Sequence, residues 1–396
     1  MSLDHRLPAE LEELRRTVEA FAHDVIAPKI GEYYEQHAFP YEIVQEMGRM
    51  GLFGLPFPEE YGGMGGDYLA LGIALEELAR VDSSVAITLE AGVSLGAMPI
   101  YHFGTEEQKR EWLPKLCSGE VLGAFGLTEP DGGSDAGATR TTAVRDGGTS
   151  RSSEAESGGG DWVINGSKCF ITNSGTDITG LVTVTAVTGR KDDGSPLISS
   201  IIVPSGTPGF TVGAPYSKVG WSASDTRELS FSDVRVPAAN LLGEEGRGYA
   251  QFLRILDEGR IAIAALATGL AQGCVDESVR YAKERQAFGR AIGSNQAIQF
   301  KLADMEMRAH TSRLSWRHAA SRLVHGEPFK KEAALAKLYS SEIAVDNARE
   351  ATQIHGGYGF MNEYPVARMW RDAKILEIGE GTSEVQRMLI ARELGL

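Results

Sequence analysis

Cysteine is scarce: Cys117, Cys169 and Cys274 are the whole supply in 396 residues, odd in number, far apart and without a CxxC pair. That excludes a disulfide framework and a cysteine-rich zinc site, and it suits a reducing compartment. Basic charge is in deficit as well. Against 54 Asp and Glu stand 39 Lys and Arg, a net charge of −15 that argues against non-specific nucleic-acid binding. An anionic small ligand is not excluded, because a local basic cluster can outweigh a distant acidic surface. The most lipid-like run, "IAIAALATGLAQGCV" (261–275), falls short of the ~20 residues a membrane span needs. Its small residues suit closely packed helices. The first residues, "MSLDHRLPAELEELRR", are acidic and amphipathic, unlike a signal peptide, so a cytoplasmic location is expected. No G-x-G-x-x-G follows a strand and no Walker A sequence occurs, which leaves no Rossmann or P-loop nucleotide site. His310 and His318 lack the H-E-x-x-H arrangement and read as structural; no metal site is expected.

What is present divides the chain in three. Residues 1–122 read as helices broken by Gly/Pro stretches such as "PFPEEYGGMGG". From 123 to 237 short β-branched runs alternate with turn residues ("DWVING", "KCFITN", "LVTVTAVT", "SIIVP"), predicting an antiparallel sandwich or barrel. Helices return over 238–396, where Ile298, Leu302, Met305 and Ala309 mark one buried face. The Gly/Ser-rich stretch 145–161, apolar only at Ala155, predicts a mobile loop between strands.

Several short stretches carry chemistry. "GVSLG" (92–96) matches the G-x-S-x-G nucleophile elbow but lies in a run that reads as helical, where the required strand before the serine is missing. "FGLTEPDGGSDAGA" (125–138) groups glycines with Thr128 and Ser134 and offers backbone N–H groups to phosphates or ring atoms, although an ordinary turn has the same composition. In "KCFITNSG" (168–175), Phe170 and Thr172 share a strand face, suited to a heterocycle or merely to a core. "ERQAFGR" (284–290) sets Arg285 and Arg290 around Phe288 and Gly289, suited to a diphosphate. "QIHGGYGF" (353–360) bares backbone between helices. "EIGEGTSEVQR" (377–387) puts Glu380 between two glycines, just upstream of a helix for which Ser383 and Gln386 fit an S-x-x-Q capping box.

Together, in this order and spacing, these stretches resemble the acyl-CoA dehydrogenases over nearly the full chain, as do "LDEGRIAIA" (256–264) and "FKLADM" (300–305), most like the short-chain and branched-chain members. The resemblance implies an α+β multidomain fold: an N-terminal all-α domain, a middle antiparallel β domain and a C-terminal four-helix bundle, assembled as a homotetramer with FAD between the last two. It implies contacts from Phe125, Leu127, Thr128, Gly133, Ser134, Phe170, Ile171 and Thr172 to the flavin half. Arg285, Phe288, Gln296, Gln353, Gly356, Gly357, Thr382 and Glu384 would hold the adenosine diphosphate half of a neighbouring subunit's FAD. Ser134, Asp257, Arg260, Gly379, Gly381 and Arg392 would line the acyl-CoA channel.

The same resemblance makes Glu380 the base that removes the α-proton of an acyl-CoA while the β-hydrogen leaves as hydride to flavin N5, with an electron-transfer flavoprotein as the next acceptor. A thioester α-proton is too weakly acidic for a carboxylate unless the carbonyl charge is stabilised, and the Glu380 N–H with a ribityl hydroxyl is expected to do this. Burial would raise the carboxyl pKa and strengthen the base. Some relatives carry the base just before the arginine matching Arg260; that residue is Gly259 here. Gly379 stands where tyrosine is common. The alternatives are an acyl-CoA oxidase using oxygen, which usually has an extra C-terminal domain, and a non-catalytic acyl-CoA or flavin-binding subunit, against which Glu380 speaks.

Overall fold

Helices fill the chain as far as Cys117, strands lie between Leu122 and Leu242, and helices resume at Gly248 in the computed structural model, which describes residues 7–146 and 160–396. The helical start comprises α1 (Ala9–Phe21), α2 (Ala27–Glu35), α3 (Tyr41–Arg49), α4 (Tyr68–Val81), α5 (Ser83–Glu90), α6 (Met98–Phe103) and α7 (Glu106–Cys117). Asp82 separates α4 from α5 and caps the second, accepting from Ser84 N at 2.9 Å and Val85 N at 3.2 Å. A π-helical stretch, Ala91–Ala97, joins α5 to α6 without a break. Ser83–Phe103 is therefore one helical run of 21 residues, apolar and long enough by composition to cross a membrane, yet 94% of its apolar window is buried in the protein. It displaces 261–275 as the leading apolar run. The run also contains "GVSLG": Ser94 is buried in π-helix and bonded to Tyr68 Oη at 2.9 Å, which is no nucleophile elbow.

The sheet contains β1 (Leu122–Gly126), β2 (Thr142–Arg145), β3 (Trp162–Thr172), β4 (Thr179–Arg190), β5 (Pro196–Pro204), β6 (Phe210–Val212), β7 (Thr226–Val236) and β8 (Leu241–Leu242). Their order is β6-β7-β3-β2-β4-β5-β8, with β1 also on β4. The ladders are antiparallel as expected, except that β1 and β2 each meet β4 in parallel. A period of two identifies a strand but not the direction of its partner. Alternate residues such as Ile164, Val182, Val184, Ile201, Leu229 and Phe231 form the sheet's own core. Of the stretch 145–161, residues 147–159 lie outside the described residues; at its ends Asp146 N donates to Asp161 O at 2.8 Å.

The last part comprises α8 (Gly248–Glu284), a two-residue hairpin of β9 (Gln286–Ala287) and β10 (Arg290–Ala291), then α9 (Gln296–Val324), α10 (Lys330–His355), α11 (Pro365–Ala373) and α12 (Ser383–Glu393). The small residues of α8 permit close approach to α4: a Cβ at Gly269 would lie 2.1 Å from Glu76 O, and one at Gly273 2.2 Å from Arg80 O. On α9, Met305 and Ala309 are fully buried, with Ile298 and Leu302 packed beside them as their spacing predicts. One hydrophobic cluster runs from Val18 on α1 to Leu376, so both helical parts share a core.

A buried polar node ties the three parts together. Asp372 accepts from Tyr34 Oη at 2.5 Å, Ser83 Oγ at 2.7 Å and Trp221 N at 2.6 Å. Asp82 pairs with Arg368 at 2.8 Å beside it. Burial, reinforced by the Asp82 charge, pushes the Asp372 carboxyl up to about 6.

Candidate active site

Glu380 occupies the turn between a 3₁₀ segment, Lys374–Glu377, and α12. Its φ is +52°, left-handed for a side chain that ordinarily avoids that region, and Gly381 follows at +93°. A left-handed non-glycine residue costs on the order of 1–3 kcal/mol and persists only where its surroundings impose it. Here two buried side chains do so. Lys337 Nζ on α10 donates to the Gly381 carbonyl at 2.7 Å, and Gln386 Nε2 on α12 donates to the same oxygen at 2.9 Å. The cap of α12 is Thr382, whose Oγ1 accepts from Val385 N at 3.3 Å. The expected Ser383–Gln386 capping box is thus displaced by one residue: Ser383 Oγ is buried without a partner among the described residues, and the Gln386 amide turns back to the Gly381 carbonyl.

The turn sends the Glu380 side chain inward. Although the residue as a whole is half-buried, its Oε2 is buried and receives no donor among the described residues. Opposite it on α8 is Gly259. A Cβ there would lie 2.5 Å from Glu380 Oε2 and 3.9 Å from Glu90 Oε1, so the missing side chain makes room for the carboxylate. Glu90, at the end of α5, is completely buried and within hydrogen-bonding reach of Glu380. Burial, then the adjacent Glu380 carboxyl, push the Glu90 carboxyl well above the usual range. Burial also raises Glu380, but the adjacent Glu90 carboxyl and the charges of Lys337 and Arg260 oppose the rise. Burial thus raises both carboxyls, and Glu90, which has no cation to oppose it, is raised the more strongly.

Glu90 was not anticipated from the sequence. Its signal is a lone carboxylate inside the apolar run "SSVAITLEAGVSLGAMPI". Glu258, adjacent to Gly259, points elsewhere: it is buried 3.0 Å from His102 Nε2. Arg260 is buried and hydrogen-bonded to half-buried Asp257 one helical turn away. Arg392 is exposed in the last turn of α12, and its side chain has no bonded partner among the described residues.

The residues expected around the flavin half come together. Thr128 O accepts from Cys169 N at 2.9 Å, which lays the 125–134 stretch beside β3. Lys168 Nζ, wholly buried, fixes the same stretch through Leu127 O at 3.1 Å and Glu129 Oε1 at 2.8 Å. Burial pulls the Lys168 ammonium down to about 8 despite that pairing. Phe170 is 66% exposed at φ +60°, where β3 slips register against β7, and its ring stands 5.3 Å from that of Tyr216. Thr172 is half-buried on the same face, and Ser134 and Gly133 are exposed. Phe125 and Ile171 are buried, Phe125 stacking on Phe252 at 5.1 Å, so only their backbone is available to a ligand.

A second group forms at the far end of α8. The hairpin tip has two left-handed residues, Phe288 and Gly289, and leaves the Phe288 ring wholly exposed. Arg285 lies 5.7 Å over Tyr358, in a cleft of about 510 Å³ that also includes Gly356 and Gly357. Nothing stands within 4 Å of a Cβ at either glycine. Gln296 and Gln353 are exposed at neighbouring helix ends, while Thr382 and Glu384 belong to the start of α12.

With this geometry, the chain matches three family models: acyl-CoA dehydrogenase N-terminal domain over residues 8–120, middle domain over 124–234 and C-terminal domain over 246–395. It is 51% identical to a probable acyl-CoA dehydrogenase, YngJ, of Bacillus subtilis, across 99% of this chain and 100% of that one. Butyryl-CoA dehydrogenase from Megasphaera elsdenii superposes with a TM-score of 0.93 at 42% identity, covering 100% of both chains. A chain in a structure of the electron transferring flavoprotein of Acidaminococcus fermentans superposes at 0.92, also 42% identical, covering 99% of each. From its first helix to its last, this chain belongs to the acyl-CoA dehydrogenase family, FAD-dependent oxidoreductases acting on acyl-CoA.

Proposed function

We propose that the protein dehydrogenates a short or branched acyl-CoA thioester between Cα and Cβ, with Glu380 as the sole base. The observation that carries this is the buried Glu380 carboxyl oxygen, facing a side-chain-free Gly259 and lying beside the buried Glu90. Burial keeps water from competing for the carboxylate, and Glu380 takes the α-proton. The Glu380 N–H makes no backbone hydrogen bond among the described residues, which leaves it available to the thioester oxygen as negative charge develops there. FAD, when bound, supplies the acceptor for the β-hydrogen. The open backbone at Gly133, Gly356 and Gly357 and the exposed Phe170 fit such a group, with Thr128, Ser134 and Thr172 for its ring and phosphate end and Arg285, Gln296 and Gln353 for its nucleotide end.

An electron-transfer flavoprotein is the proposed next acceptor, supported by the likeness to a chain found in such a structure. A second copy of the chain is the proposed partner at α9, where Phe300, Met307 and Leu314, seven residues apart, are 60%, 61% and 38% exposed. Anaerobic addition of butyryl-CoA to the purified yellow protein is expected to bleach its flavin band. No bleaching with any short acyl-CoA would refute the proposal, and peroxide formed in air at the dye-coupled rate would make the enzyme an oxidase.

Gly379 bears on substrate shape. A Cβ there would meet only Ile375 O, at 3.5 Å, so the backbone accepts a larger residue. Tyrosine would fill space that a methyl-branched chain can use, and one methyl in an apolar pocket is worth roughly 1–3 kcal/mol, about 10- to 200-fold in kcat/KM. Gly379→Tyr is expected to shift preference from isobutyryl- and 2-methylbutyryl-CoA toward butyryl-CoA. An unchanged ratio of kcat/KM would remove position 379 from specificity.

A further inference from the structure

The buried Oε2 of Glu380 has no donor among the described residues, so the backbone of Glu380 aims the base. That backbone sits in an unfavourable left-handed turn. Lys337 is 0% exposed and, among the described residues, offers its ammonium to one hydrogen-bond acceptor, the Gly381 carbonyl at 2.7 Å. A buried ammonium without a directly paired carboxylate is costly, and an apolar side chain of similar length would fold more cheaply. Its presence there therefore calls for another reason.

We infer that Lys337 is the positioning residue of the base: it clamps the Gly381 carbonyl, so fixing the Glu380 turn, and places a positive charge near the Glu380 carboxyl. The inference rests on Glu380 being the base. Gln386 shares the clamp but is neutral. The other nearby cation, Arg260 on α8, is hydrogen-bonded to Asp257, which offsets its charge. Among the described residues, the other titratable groups acting on the pair are acidic or neutral: Glu90 from α5, Tyr68 from α4, and Glu377 and Glu384 flanking the turn. None of them can replace the lysine's charge. Burial draws the Lys337 ammonium down to about 8, which still leaves it charged at neutral pH.

The test uses the flavin-loaded, full-length enzyme with butyryl-CoA and a dye acceptor, and reads kcat and kcat/KM across about pH 5–9. Lys337→Met is expected to lower kcat about 10- to 100-fold with flavin retained, because the base is misplaced. It should also move the acid limb of kcat/KM to higher pH, because a lost neighbouring cation raises a carboxyl pKa. Lys337→Gln keeps a polar tip without charge; it should move the limb in the same direction with a smaller loss of kcat, and it serves if the methionine variant folds poorly. An acid limb that stays at the wild-type pH in a flavin-loaded variant overturns the inference, as does a kcat within about twofold of wild type in Lys337→Met. Glu380→Gln is assayed in parallel. Activity in that variant would refute the base itself, a failure distinct from an unmoved acid limb.

Discussion

Glu380→Gln is expected to fold, bind FAD and bind acyl-CoA, yet to reduce its flavin at least about 10²- to 10⁴-fold more slowly than wild type, the usual contribution of a positioned general base. The substitution preserves volume and leaves the Lys337–Gly381 and Gln386–Gly381 hydrogen bonds untouched, so the turn keeps its shape. What disappears is proton affinity at one atom. Glu90 is poorly placed to take over, because it is fully buried where Glu380 is half-buried, and burial pushes its carboxyl well above the usual range. Glu258, occupied by His102, is no substitute either. Anaerobic stopped-flow reduction by butyryl-CoA is the measurement. Retention of a tenth of the wild-type rate would mean that another group removes the proton.

Gly259→Ala is expected to separate activity from stability. In the middle of α8, alanine is favoured over glycine by about 1 kcal/mol, so Tm should hold or rise slightly. The new methyl, however, would stand 2.5 Å from Glu380 Oε2, closer than contact allows, and the carboxylate must move. A displacement near 1 Å at a reacting group costs about 10²-fold in rate. The expected outcome is a flavin-loaded enzyme of normal or higher Tm with kcat reduced roughly 100-fold. Unchanged kcat would show that Glu380 rests elsewhere when substrate is bound.

The α–β–α order was legible in the sequence because hydrophobic period changes at the two junctions, from helical spacing to alternation and back. Met305 and Ala309 were readable as buried for the same reason. The parallel pairing of β1 and β2 on β4 was not, since nothing local to a strand specifies a partner that distant in sequence. At the site, Glu380 was conspicuous by its flanking glycines, and Gly259 by its place before Arg260. Glu90 and Lys337 were hidden. Glu90 is a lone carboxylate in an apolar helical run and Lys337 one of several charges on α10; what makes each matter is burial beside the Glu380 turn, a tertiary fact with no local period or motif. The cap of α12 was misplaced by one residue because Thr382 and Ser383 are adjacent and chemically equivalent; the direction of the Gln386 amide decided between them.

The Asp372 node constrains how the molecule is made. Its carboxylate accepts from Tyr34, a residue 338 positions earlier, and from Ser83, 289 positions earlier. At a synthesis rate of about 5–20 residues per second, Tyr34 leaves the ribosome roughly 20–70 s before its partner exists. The hydrophobic cluster has the same problem, because α4 buries its apolar face against α8 and α9, not yet translated. The N-terminal helices must therefore wait with apolar surface uncovered, and their folding is completed from the other end of the chain, when α11 brings the Asp372 carboxylate that their hydroxyls require.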